Sequence, residues 1–145
     1  MPIKLELNGF EQQIRKLEAV GKKADATVHE AATAAAAILQ SELKSEMAKA
    51  DETGGMSRLI SRMPAPEVEQ SGGVSTARAG YRKGEYNPDN ISDGYKAVFL
   101  NYGTPRRSKH GKVRPRGFID KAKKAAKPKI TAECKKIFDR AIKEL

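Results

Sequence analysis

The chain has 145 residues, enough for one domain (1–145) with a modest core and too few for two. Hydrophobic residues make up 39% and charged residues 32%; no apolar run approaches the roughly 20 residues that cross a bilayer, and Met1-Pro2-Ile3-Lys4 lacks the succession of a secretory signal, so a polar, soluble protein made in the cytoplasm is expected. A net charge of +10 and a single cysteine, Cys134, exclude an acidic protein and an internal disulfide framework.

In chain order, Ile3-Lys4-Leu5-Glu6-Leu7 alternates apolar and charged residues and predicts a half-buried strand. Asn8-Gly9 ends it, with Asn8 able to cap a helix. Apolar residues then recur at 10, 14, 17, 24, 28, 31, 35, 39, 43 and 47, a helical spacing that loosens at Gly21. Six alanines between Ala31 and Ala37 give that helix a slim surface. A coiled-coil seam wants larger residues, so packing on a sheet or on a neighbouring subunit is the favoured reading. His29 is expected to face solvent.

Thr53-Gly54-Gly55 punctuates the end of the helix. Met56 to Met63 fits either a short strand or a helical turn, and Pro64 and Pro66 impose an extended connection. Gly72-Gly73 is a turn signal, Val74 to Ala79 a modest strand, and Gly84 to Gly94 an exposed loop. Tyr95 to Tyr102 carries apolar residues at both parities, and reads as a strand covered on both faces. A basic loop at 105–117 follows, then a helix from Phe118 with Ile119, Ala122 and Ala126 buried. Pro128 is expected to interrupt that helix and Thr131 to cap a fresh one carrying Ile130, Cys134, Ile137, Phe138, Ala141 and Leu145. The layout is α+β: a small antiparallel sheet packed by a long N-terminal helix and C-terminal helices.

Charge is distributed unevenly. Between Pro105 and Lys129 there are eleven Lys or Arg and one acid, Asp120, while the rest of the chain holds seventeen of each sign. Two readings are open: a docking or DNA-facing loop built on Arg106, Arg107, Lys109, Lys112, Arg114 and Arg116, or a solvated loop and helix face. Phosphate contacts there would give sequence-independent affinity for duplex DNA, but no stacking aromatic lies between Pro105 and Gly117.

No catalytic constellation is evident. His29 and His110 have no cysteine or acidic cluster at metal-ligand spacing, and neither a phosphate-cradling glycine loop nor a Gly-x-Ser-x-Gly turn is present. Cys134 sits within an apolar stripe, the place of a small buried hydrophobe rather than a nucleophile. The expectation is a non-enzymatic protein with no cofactor and no metal.

Four signals in order resemble the neck or tail-completion proteins of tailed bacteriophages, also called minor tail components: Ile3 to Leu7 with Gly9-Phe10; Thr53-Gly54-Gly55-Met56 with Leu59-Ile60; Tyr95-Lys96-Ala97 through Asn101-Tyr102-Gly103-Thr104; and Arg116-Gly117-Phe118-Ile119-Asp120-Lys121-Ala122. Tyr95, Gly103, Thr104, Phe118 and Ala122 are the residues that carry the last two. Asn101 stands where the family usually has glutamate, and Gly117 where it has proline. The resemblance implies a virion protein, made in the bacterial host cytoplasm, that assembles as a homo-oligomeric ring at the head–tail junction. Its implied partners are head-closure and tail-terminator or tail-tube proteins, with passing contact to the phage genomic DNA and none to a membrane. The alanine-bearing helix and the 105–117 loop are the surfaces expected to meet them.

Overall fold

The computed structural model describes residues 2–5, 9–19, 24–51, 54–71, 74–81, 92–103 and 114–144. Along the chain these form β1 (Pro2–Leu5), α1 (Glu11–Ala19), α2 (Ala24–Lys49), α3 (Met56–Ser61), β2 (Glu67–Ser71), β3 (Val74–Gly80), α4 (Asp93–Tyr102) and α5 (Phe118–Lys143). The fold is α+β, as the pattern predicts. Its sheet is antiparallel with order β1-β3-β2, and Ile3 pairs with Ala79 while Val68 pairs with Ala77.

Alternation along β3 turns Ala77 and Ala79 inward and leaves Thr76 and Arg78 half-exposed on the opposite face. The inward face receives α2. Ala32 and Ala36 of α2 meet Ala77 and Val68, so helix and sheet approach closely through small apolar groups, and Gln70 of β2 donates to the Asp25 carbonyl of α2 at 2.9 Å. The adjoining row of α2, spaced by four, is Ala31, Ala35, Leu39, Leu43 and Met47; it joins the main core with Phe118, Ala122, Ala126, Ile130, Cys134, Ile137 and Phe138 of α5. Helix α2 is therefore the element around which the molecule is built.

Helices α2 and α5 have 26 residues each, about 39 Å of helix. They run antiparallel: Arg140 pairs with Glu30, Lys129 pairs with Glu42, and Arg116, just before α5, reaches Ala50, just after α2. The Cys134 thiol lies 3.8 Å from the Ala31 carbonyl, an approach that only small residues permit. Before α1, Phe10 stacks on Phe138 with ring centroids 5.0 Å apart, and the Glu11 carboxyl is held below the usual carboxylate range by hydrogen bonds from its own backbone N–H and then from the Gly9 N–H. Asn8, expected as the cap, lies outside the described residues, as do Gly21, Thr53, Gly72-Gly73 and Leu145.

Three expectations are corrected. Tyr95 to Tyr102 is a helix, not a strand. Ser92, with φ −63° and ψ 143°, accepts the Tyr95 N–H at 3.1 Å as an N-cap, Asp93 occupies the first turn, and Gly94, Ala97 and Asn101 form the buried side. Apolar residues at both parities fit a helix as well as a two-sided strand. Secondly, Pro128 does not interrupt α5. Its ring is exposed and it removes one hydrogen bond, while Ala126, Ile130 and Cys134 on either side are buried and hold the helix together. Thr131 consequently caps nothing; its hydroxyl donates back to the Lys127 carbonyl at 2.9 Å. Thirdly, His29 is half-buried, with Nδ1 unpartnered among the described residues. Met56 to Ser61, open between strand and helix in sequence, is α3, and Pro64 and Pro66 lead into the edge strand β2.

Candidate docking surface

The third and fourth sequence signals are joined in space by a clasp. Helix α4 ends at Gly103, whose φ of 74° suits a residue without a side chain and whose N–H donates to the Phe99 carbonyl at 2.8 Å. The chain returns at Arg116 and Gly117, whose N–H groups donate to the Asn101 carbonyl at 3.2 and 3.1 Å. Asn101 itself is buried, and its Oδ1 accepts the Ile119 N–H at 2.9 Å. Gly117 offers α5 no side-chain cap, so Asn101 supplies from another helix the acceptor that the open first turn of α5 needs.

Asn101 and Gly117 both act within the clasp. Asn101 acts inside the fold, where a glutamate would place a charge at the same buried helix start. Gly117 has φ 61°, a left-handed conformation closed to proline with its φ near −65°. Residues 104–113, between the two arms of the clasp in sequence, hold the first cations of the basic block.

The six expected loop cations divide accordingly. Arg106, Arg107, Lys109 and Lys112, with Thr104 and His110, lie outside the described residues. Arg114 is exposed. Arg116 is half-buried: its guanidinium donates to the Ala50 carbonyl at 3.1 Å and lies 3.3 Å from the Met56 sulfur, so it stitches the end of α2 to the start of α5. Beyond the loop the basic block continues along α5, where Lys121, Lys123, Lys124 and Lys127 are exposed without an acidic partner among the described residues.

Of the remaining motif residues, Phe118 and Ala122 are buried core, whereas Tyr95 is not. Tyr95, Phe99 and Tyr102 remain 58%, 41% and 62% exposed, at positions i, i+4 and i+7 of α4. Tyr95 and Phe99 meet edge to face at 4.8 Å. Helix α4 thus turns its small residues inward and its aromatic residues outward, beside the start of the basic block. A strand reading hides this surface. Its signal in the sequence is the Ser92-Asp93 cap followed by aromatics at helical spacing.

The alanine-bearing helix is a weaker candidate than expected, because Ala31, Ala32, Ala35 and Ala36 are buried within the molecule and only a strip including Thr33 and Ala37 is exposed. Burial, and secondarily Glu133, pushes the Cys134 thiol up to about 11, an inert environment. Tyr81 donates to the Leu59 carbonyl at 2.6 Å, and burial raises its phenol well above the ordinary range. Among the described residues no group of three or more His, Cys, Asp or Glu is placed to hold a metal ion, and no helix is long and apolar enough to cross a membrane.

No protein-family model matches the chain, and no curated protein or solved structure matches it.

Proposed function

We propose that this chain is a non-enzymatic structural protein of a tailed-phage or prophage virion, joining head and tail or completing the tail as a ring-forming neck component. The observation that carries the reading is the succession of four sequence signals along nearly the whole chain, in the order of the neck and tail-completion proteins. The geometry lends support: two of those signals form one clasp, with an exposed aromatic helix on one arm and the basic block on the other. Aromatic residues and arginine are the side chains enriched at protein interfaces. Its partners in this reading are further copies of itself in a ring, head-closure proteins and tail-terminator or tail-tube proteins, with the genome passing through the centre. No cofactor takes part. Electron microscopy of the protein mixed with connector or tail rings is expected to show it incorporated; persistent exclusion from both overturns the proposal.

A second reading, non-specific binding to duplex DNA, draws on one observation, the exposed row Lys121, Lys123, Lys124 and Lys127 continuing the loop cations. It requires affinity for random duplex that drops steeply with salt and collapses when Arg106, Arg107, Lys109 and Lys112 become glutamine. Negligible affinity at low salt removes it.

A further inference from the structure

We propose that the outward face of the first three turns of α5, formed by Lys121, Lys123, Lys124 and Lys127, is a phosphate-binding row that lies along the backbone of duplex DNA without reading bases. The inference rests on the duplex-binding reading and deepens it, adding a folded surface to the loop cations. At about 100° per residue the four lysines span about 160° of the helix, centred opposite the buried Phe118, Ile119, Ala122 and Ala126. The cations of α5 that flank α2 are used within the fold, Lys129 on Glu42 and Arg140 on Glu30. The four that face away have no acidic partner among the described residues, and Asp120, the one acid between Phe118 and Lys129, joins no ion pair there.

Local energetics oppose such a row. Lys121 with Lys124, Lys123 with Lys127 and Lys124 with Lys127 are like-charge pairs three or four residues apart, which repel along a helix face. Lys121 also stands in the first turn, at the end of the helix dipole that favours anions. A face with no task but solvation is better served by mixed charges, as the end of α2 is by Glu42, Lys44, Glu46 and Lys49. A partner that supplies negative charge along the row removes the repulsion.

The chemistry of the face selects that partner. The four lysines lie within about 9 Å of helix axis, a length over which duplex DNA presents about five phosphate charges. Exposed positions between 118 and 129 hold no aromatic and no large apolar residue. Nothing there anchors in a protein pocket, inserts into a lipid surface or stacks on a base. Lysine ammonium groups act as point charges, which neutralise phosphate without the two-pronged fit of arginine. Exposed Arg114 carries the same sign upstream.

Fluorescence anisotropy with a labelled random duplex of about 30 base pairs, titrated from about 20 to about 200 mM salt, tests the row. The variant carrying Lys121→Gln, Lys123→Gln, Lys124→Gln and Lys127→Gln is expected to bind at least tenfold more weakly at low salt, with a slope of log affinity against log salt shallower by about 3. Its thermal midpoint should equal or exceed that of wild type, because the row opposes its own helix; a lower midpoint would mean that these lysines hold α5 together, and overturns the assignment. A control of equal net charge, with Arg15→Gln, Lys16→Gln, Lys136→Gln and Lys143→Gln at exposed positions on α1 and further along α5, should stay within about threefold of wild type. Equal losses in the two variants reduce the effect to net charge and overturn the row. Wild-type affinity in the α5 variant, with binding lost in the Arg106, Arg107, Lys109 and Lys112 glutamine variant, overturns the row and leaves the duplex reading standing. A wild-type protein that ignores duplex at low salt, or binds phosphatidylglycerol vesicles instead, removes both.

Discussion

At the scale of single residues, the clasp depends on Asn101. Its side chain satisfies an N–H at the start of α5, and its carbonyl holds Arg116 and Gly117. Asn101→Ala is expected to lower stability by about 1–2 kcal/mol, the usual effect of losing an N-cap, as a shifted midpoint in urea with an unchanged slope. An unchanged midpoint would show that α5 starts without it. Cys134 provides a test by pH. Its thiol titrates at about 11 in the fold against an ordinary 9.0, so the unfolded chain releases this proton first as pH rises. The protonated thiol's contribution to stability is full below pH 9 and is lost as pH climbs toward 11. Removing the thiol removes that dependence. The stability gap between wild type and Cys134→Ala should therefore narrow between pH 9 and 11; a gap constant across that window would place the thiol in water.

At the scale of elements, α2 is slim because it is packed on two sides. Ala35 is fully buried in the row facing α5, whereas Ala37 faces solvent. Ala35→Leu forces those helices apart and is expected to destabilise by about 1–3 kcal/mol, while Ala37→Leu should stay within about 0.5 kcal/mol of wild type, both read from urea melts. Pro128 sits exposed within α5 and deprives the Lys124 carbonyl of its helical donor. Pro128→Ala is expected to stabilise the protein by about 2 kcal/mol, seen as a higher thermal midpoint; a lower one would mean that α5 depends on a bend at this position.

The elements also show what a sequence can and cannot disclose. The spacing from Ala31 to Met47 specifies the buried row of α2, and the alternation at Ile3 and from Val74 to Ala79 specifies two strands, because each pattern has one period only. Tyr95 to Tyr102 is short and apolar throughout, and there the pattern leaves helix and strand open; the Ser92 cap settles the matter locally. Pro128 misleads in another way, since a local penalty of about 3 kcal/mol is outweighed by the long-range packing of α2 on α5. The core residues of α5 were readable for the same reason that its continuity was not. At the candidate site the charge block was legible from composition, but the Arg116 stitch to Ala50 joins residues far apart in sequence and leaves no local pattern.

At the scale of the whole molecule, α2 lies between a three-stranded sheet and α5, and the clasp ties the end of α4 to the start of α5. Bulky Phe118 and Phe138 are buried beside the small residues of α2, while Tyr95, Phe99 and Tyr102 of α4 and a row of lysines on α5 stand exposed on the surface. The claim on which the account rests is that this face meets the neighbours of a head–tail junction. Cryo-electron microscopy of tailed particles assembled without the chain and then supplied with it tests the claim most directly. The account predicts ring density at the neck in which α4 and the basic block touch the adjoining components. Particles that join head to tail with no such density, or a bound chain that meets its neighbours only through the open face of the sheet, would contradict it.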